Sequence, residues 1–257
     1  MSAKRFLVAV LCLVPFAASA QEKLASQTEF GARASAELDW KMTNALHLSI
    51  EEEARLYDMS FGKMYTTAAL SYKFGRHLKV GAGYSYIGAL DDDVWKSRHR
   101  GFADVTGSVR VGDFKISLRE RFQATYKAYD INTFQKPQTA YALKSRLKVV
   151  YDIPHCAWAP YVSTELRTAL NAVDYSSLGT TKQTAGTVSY SDVYCNRLRT
   201  VAGTEWRVNR KNYLDFYLLY DRDFARDIDA TAEGRAKSYT VTPLNNISLG
   251  IAYRFAL

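Results

Sequence analysis

The stretch EFGARASAELDW, residues 29–40, decides the fold class because apolar and polar side chains alternate along it almost without interruption. In an extended chain one face would carry the apolar side chains of Phe30, Ala32, Ala34, Ala36, Leu38 and Trp40. The other face would carry Glu29, Arg33, Ser35, Glu37 and Asp39. A period of two predicts a β-strand with one apolar and one polar face.

The same alternation returns along the rest of the chain, in pairs of segments joined by tight turns such as Gly75-Arg76 and Gly112-Asp113. Longer polar stretches separate the pairs, around the Asp91-Asp92-Asp93 run, over about residues 171–194 and up to about residue 242. Short turns at one end and long loops at the other are typical of outer-membrane barrels. Several segments also exceed the 9–11 residues or so that a tilted strand needs to cross a bilayer. A soluble sandwich, with strands of about 5–6 residues, fits less well.

The sequence therefore predicts an all-β protein, a transmembrane antiparallel up-and-down β-barrel over residues 21–257. Eleven strong strands can be counted, whereas bacterial single-chain barrels have an even number. We expect 12 strands and accept 10. A twelfth strand would lie within residues 177–195 or 236–243, or else the first segment would stay outside the wall.

The first residues predict export. Lys4 and Arg5 precede an apolar run over residues 6–14 and the small-residue stretch Ala17-Ala18-Ser19-Ala20. This is the pattern of a secretory signal peptide, residues 1–20, cleaved after Ala20. The run is too short for a membrane-spanning helix, which takes about 18 apolar residues or more. The expected location is the cell outer membrane.

Composition agrees with this location. The chain has 18 Tyr, 12 Phe and 4 Trp, residues that favour strands and membrane interfaces, and a mean hydropathy of -0.24. The net charge of +8 could suit nucleic acid, but export argues against that partner. The expected partners are outer-membrane lipid, lipopolysaccharide and, during insertion, the barrel-assembly machinery, with the protein a monomer. The alternation puts Cys156 in a periplasmic turn and Cys195 near the outer rim, so we expect no disulfide between them.

Four segments look familiar together: LKVGAGYSY (78–86), WAPYVSTEL (158–166), NRLRTVAGTEW (196–206) and GIAYRF (250–255). They resemble the uncharacterised outer-membrane β-barrel family catalogued as domain of unknown function 2490. The similarity covers most of the chain after residue 20. The resemblance implies the fold and the location, and it supplies no activity and no site residues.

Charged side chains predicted to face the lumen form two groups of opposite sign. Acids lie on the first two strands: Glu29, Glu37, Asp39, Glu51 and Glu53. Bases lie on the sixth, seventh and ninth: Lys115, Arg119, Arg121, Lys144, Arg146, Lys148, Arg197, Arg199 and Arg207. In a closed barrel the two groups should face each other. They would either plug the lumen as a salt-bridged network or leave a porin-like constriction that orients small solutes.

Other chemistry has weaker support. A barrel enzyme acting on lipid or lipopolysaccharide acyl chains is the alternative, but His47, His77, His99 and His155 form no convincing constellation with a serine. Asp91, Asp92 and Asp93 lack the spacing of a calcium loop. The acids Asp221, Asp223, Asp227 and Asp229 are expected in a solvated rim. The sequence predicts no enzyme, metal or cofactor.

Overall fold

The computed structural model describes residues 27–58, 60–91, 94–179 and 187–257. The predicted signal peptide and its cleavage site lie outside these ranges. Within them no helix reaches the length and apolarity that crossing a membrane requires.

Eleven strands make up the described chain. Their bounds are β1 Gln27–Lys41, β2 Leu46–Tyr57, β3 Ser60–Phe74, β4 Leu78–Asp91, β5 Val94–Val111, β6 Phe114–Lys127, β7 Thr139–Tyr151, β8 Trp158–Ala172, β9 Asp192–Arg207, β10 Asn212–Ala230 and β11 Ala236–Ala256. We name the two ends of the barrel by their connections. The turn end carries the short connections after β1, β3, β5, β7 and β9, and the loop end carries the connections after the even-numbered strands.

The strands close into one barrel, and the closing contact is parallel. Each strand pairs antiparallel with its neighbour in sequence, whereas β1 and β11 pair parallel from Gln27 opposite Leu244 to Asp39 opposite Ala256. The expectation of 12 strands, or of 10, is therefore wrong for the described residues. With an odd number of alternating strands the first and last run in the same direction, so closure has to be parallel.

The two places suggested for a twelfth strand have other structures. Residues 236–243 are the beginning of β11. Residues 177–195 contain the end of a 3-10 turn, Tyr175–Ser177, and the start of β9, and residues 180–186 lie outside the described ranges. The first segment, which could have stayed outside the wall, is the full strand β1.

Two of the predicted long loops are mostly strand. Only residues 92 and 93 separate β4 from β5, and β10 continues to Ala230, so the expected rim acids Asp221, Asp223, Asp227 and Asp229 belong to it. The prediction of a solvated rim is wrong for Asp221, which is 3% exposed. Arg222 interrupts the apolar alternation after Tyr220, and this break made the strand look finished.

The predicted sidedness of the wall is confirmed. On β1 the exposed residues include Phe30, Ala34, Ala36, Leu38 and Trp40, while Arg33, between Ala32 and Ala34, is 5% exposed. Large apolar side chains elsewhere are also open on the outside, as in Leu249 at 68% and Val111 at 62%. Gly75 and Gly112 adopt positive φ in tight turns, where a side chain would be strained. The apolar side chains therefore point away from the barrel axis.

Loop-end segments pack against one another in a small apolar cluster. Val173 and Leu178 from the β8–β9 connection contact Ile228 and Ala230 of β10, with Phe134 of the β6–β7 connection beside them. The backbone of Gly179 bridges to the β10–β11 hairpin at Arg235. In the same connection, hydrogen bonds from the hydroxyl and backbone N–H of Ser176 hold the pKa of Asp174 below its usual value. The described parts of these connections therefore pack together at the loop end.

Candidate functional site

The lumen contains two cavities that meet at the same two side chains. The turn-end cavity has a volume of about 920 Å³ and the middle cavity about 310 Å³. Arg119 of β6 and Arg146 of β7 line both of them. These two guanidinium groups therefore mark the boundary between a wide and a narrow part of the interior.

The structure brings most of the predicted lumen charges to these cavities. The middle cavity is lined by Glu51, Glu53, Arg119, Arg121, Lys144, Arg146, Lys148 and Arg199. Glu37 lines the turn-end cavity together with Asp39 and Lys115. Glu29 and Arg197 line neither of the two. Acids of β2 and bases of β6, β7 and β9 thus share the middle cavity, whereas the predicted acids of β1 do not line it.

Glu165 of β8 is the centre of the ion-pair network in the middle of the barrel. Its carboxylate accepts a hydrogen bond from Arg119 at 3.0 Å and another from Arg197 at 3.4 Å, and Lys144 Nζ lies 3.9 Å away. The residue is only 5% exposed. One carboxylate thereby holds cations from β6, β7 and β9.

Asp221 of β10 and Asp104 of β5 extend this network. Arg199 donates two hydrogen bonds to Asp221, each of 2.6 Å, and Arg33 approaches the same carboxylate at 3.3 Å from two strands away. Arg121 donates to Asp104 at 3.0 Å through Nε and at 2.5 Å through Nη2. The three carboxylates are nearly inaccessible to solvent, so these are buried ion pairs.

The network differs from the predicted one in its acidic members. The bases of β6, β7 and β9 pair with Glu165, Asp104 and Asp221, which are not among the predicted lumen acids. All three lie on the lumen-facing positions of their strands, so continuing the alternation through β5, β8 and β10 would have found them. The long Arg side chains contact acids on nearby strands, because these acids lie closer than the predicted acids across the barrel.

The opposite wall keeps its own acid cluster. Glu37 lies directly across from Glu51 in the β1–β2 pairing, and Ser35 lies across from Glu53. Glu53 accepts a hydrogen bond of 2.5 Å from Arg55 of its own strand, and the Arg55 guanidinium lies 4.1 Å from the Tyr65 ring centroid. Charges of both signs therefore remain in contact with the middle cavity.

Two aromatic side chains narrow the lumen where glycine leaves room for them. A Cβ atom on Gly250 would lie 2.0 Å from the ring of Tyr217, and one on Gly203 would lie 2.8 Å from the Tyr161 hydroxyl. Tyr161 donates a hydrogen bond of 2.8 Å to Asp215, and Lys148 Nζ lies 3.7 Å from its ring centroid. Glycine in these strands therefore permits close packing inside the barrel.

Among the described residues, no histidine hydrogen-bonds to the side chain of a serine, threonine or cysteine. His47 approaches Asp39 at 3.3 Å and Lys73 at 3.0 Å, His77 approaches the backbone oxygen of Ser108, and His99 approaches the Tyr84 hydroxyl at 2.6 Å. No group of three or more His, Cys, Asp or Glu residues within the described ranges could hold a metal ion. Cys156 and Cys195 are both free, as predicted. The charged side chains that line the lumen can bind and orient charged groups.

Comparison with protein families gives one result that agrees with the strand motifs. The family model described as protein of unknown function (DUF2490) matches residues 30–232, from the start of β1 to the β10–β11 hairpin. This confirms the resemblance found in the sequence. The comparison with curated proteins gives no match.

Proposed function

The chain belongs to the DUF2490 family of proteins of unknown function, and from this premise we propose that it is a non-enzymatic outer-membrane β-barrel. Its charged lumen is a narrow passage for small solutes, constricted at Arg119 and Arg146. It acts as a monomer in contact with outer-membrane lipid and lipopolysaccharide, after insertion by the barrel-assembly machinery. The observation that carries the passage is the pair of cavities that meet at these two arginines.

The exposed apolar surface supports a membrane location. Phe30, Val111 and Leu249 are each more than 60% exposed, and many large apolar residues on the other strands are also exposed. A water-soluble barrel would turn these residues inward, because exposed apolar patches of this extent promote association. Strands of 12 to 21 residues are also long enough to cross the hydrocarbon layer.

Aromatic pairs at the turn end support the same location. The rings of Trp158 and Trp206 stack with centroids 5.2 Å apart, and Phe114 stacks on Tyr151 at 4.9 Å. Both pairs lie at strand ends on the outward face. Girdles of aromatic residues mark the two membrane interfaces of outer-membrane barrels.

A planar-bilayer conductance measurement on the refolded mature protein tests the passage. We expect small current steps above background, because the two cavities adjoin at Arg119 and Arg146. Arg146→Glu should change step size and ion selectivity, since it reverses a charge at the constriction. Arg210→Glu, which reverses an exposed charge in the β9–β10 turn, is the matched control and should leave the current as in the wild type.

Absence of any current from correctly folded protein would contradict the passage and favour a lumen plugged by the Glu165 and Asp221 ion pairs.

The non-enzymatic assignment has a separate test. Incubation with phospholipid and lipopolysaccharide, followed by lipid mass spectrometry, should leave both unchanged. Loss of an acyl chain would contradict it.

A further inference from the structure

The wall formed by β6, β7, β8 and β9 holds like charges directly opposite one another. Arg119 is paired in register with Arg146, and Arg121 with Lys144. Lys144 is in turn opposite Arg167, and Arg167 is opposite Arg197. Like charges at directly opposite positions of a sheet destabilise it. An anion bound against this wall would relieve that repulsion.

The protein's own carboxylates leave part of this wall uncompensated. Glu165 is already shared by Arg119, Lys144 and Arg197. Arg146 lies opposite Glu165 in register, yet it forms no hydrogen bond or ion pair with any residue that the structure describes. Its guanidinium group, which carries five N–H donors, lines both cavities.

Lys148 and Arg119 lie beside Arg146, and each keeps cationic charge that no described carboxylate fully engages. Lys148 follows Arg146 by two residues on the same face of β7, and its ammonium lies over the Tyr161 ring without a carboxylate partner in the described chain. Arg119 donates to Glu165 through Nη2, but its Nε is buried and has no partner among the described residues. Three cationic groups thus stand together at the constriction.

In both cavities Lys and Arg residues outnumber Asp and Glu residues. Of the eleven Lys, Arg, Asp and Glu residues that line the turn-end cavity, eight are Lys or Arg. In the middle cavity nine of thirteen are Lys or Arg. A wall of one sign concentrates ions of the opposite sign. An anion that enters from the turn end would reach Arg119 and Arg146 where the two cavities meet.

We propose that Arg119, Arg146 and Lys148 form a binding site for a small oxyanion that carries at least two negative charges. The inference rests on the proposed passage and names the class of solute that it selects. Guanidinium groups bind phosphate and carboxylate oxygens through paired hydrogen bonds, and the ammonium adds a compact charge. Inorganic phosphate or sulfate and organic dicarboxylates share this chemistry.

Isothermal titration of the full mature protein, refolded in detergent micelles in low-chloride buffer, tests the site. The probes are phosphate, sulfate and succinate in separate titrations, with chloride as the monovalent control. We expect at least one divalent probe to bind at a single site and chloride to bind more weakly. The probe that binds most tightly distinguishes an inorganic from an organic oxyanion.

Arg146→Gln is the decisive variant because Arg146 makes no ion pair whose loss would disturb folding. It should weaken oxyanion binding by about tenfold or more, since it removes a charge-assisted contact. Lys148→Gln should act in the same direction. Arg210→Gln, in the exposed β9–β10 turn, should bind as the wild type does. Far-ultraviolet circular dichroism confirms that each variant keeps its β-structure.

Two results would overturn the site: no divalent probe binds the folded wild type, or Arg146→Gln binds as tightly as the wild type. Because binding is measured without a membrane, these results are separate from the conductance test. Protein that binds the oxyanion but carries no current contradicts the passage alone. Protein that carries chloride current but binds no oxyanion contradicts the site alone.

Discussion

The middle of the lumen and its turn end are lined by the same kinds of charged side chain, yet they are built differently. In the middle, Glu165 and Asp221 are buried, and each is contacted by two or more cations. At the turn end, Arg110 and Asp152 form a single pair whose side chains are 61% and 44% exposed. Burial, more than charge type, therefore decides what an ion pair contributes in this barrel.

The largest effect is expected for Glu165→Gln. Removal of this carboxylate charge leaves Arg119, Lys144 and Arg197 crowded in the middle of the barrel without their shared partner. Breaking a buried ion pair from one side typically costs about 3–5 kcal/mol. We expect a loss of that order in the free energy of unfolding, measured by urea titration of the protein in micelles.

Asp152→Asn provides the matched comparison for Glu165→Gln at the turn end. An exposed pair contributes at most about 1 kcal/mol, so this variant should unfold near the wild-type midpoint. Equal losses in the two variants would show that burial does not separate the two regions.

The contrast between middle and turn end follows from features that the alternation of the sequence reveals only in part. Period-two patterning identifies which side chains face inward, among them Arg119, Arg146 and Lys148, which line the middle cavity. Cross-strand partners depend on register, and no local pattern shows that Arg33 of β1 would reach Asp221 of β10. Asp221 was missed because Arg222, on the outer face, interrupts the alternation, whereas Asp104 and Glu165 lie on lumen-facing positions where the alternation is unbroken.

Strand number could not be obtained in the same way. Eleven alternating segments are visible in the sequence, but nothing in residues 27–41 or 236–256 distinguishes parallel from antiparallel closure. The rule that barrels have an even number of strands therefore led to the expectation of 12 or 10, although the count of eleven was correct for the described chain. The end-to-end pairing of β1 with β11 is a tertiary property of the closed wall.

A smaller effect is expected from filling space beside Tyr217. A Cβ atom at Gly250 would lie 2.0 Å from this ring, so Gly250→Val should displace it and cost about 1–3 kcal/mol by overpacking. A Cβ atom at Gly101 has no described neighbour within 4 Å. Gly101→Val raises strand propensity as much as Gly250→Val does, but it causes no such close contact, so it should change the urea midpoint little.

If Gly250→Val unfolds at the same urea concentration as Gly101→Val, the ring of Tyr217 has room to move, and the middle of the lumen is looser than the structure indicates. A lower midpoint for Gly250→Val alone would support the close packing that narrows the middle cavity.

The central claim, an apolar outer surface in contact with lipid, is tested most directly by tryptophan fluorescence. The outward positions include Trp40, Trp95 and Trp158, each at least 40% exposed. In vesicles containing lipids brominated on their acyl chains, the folded protein should lose much of its fluorescence, while aqueous iodide should quench it weakly. Strong quenching by iodide, none by brominated lipid, and a monomer that dissolves without detergent would contradict the account.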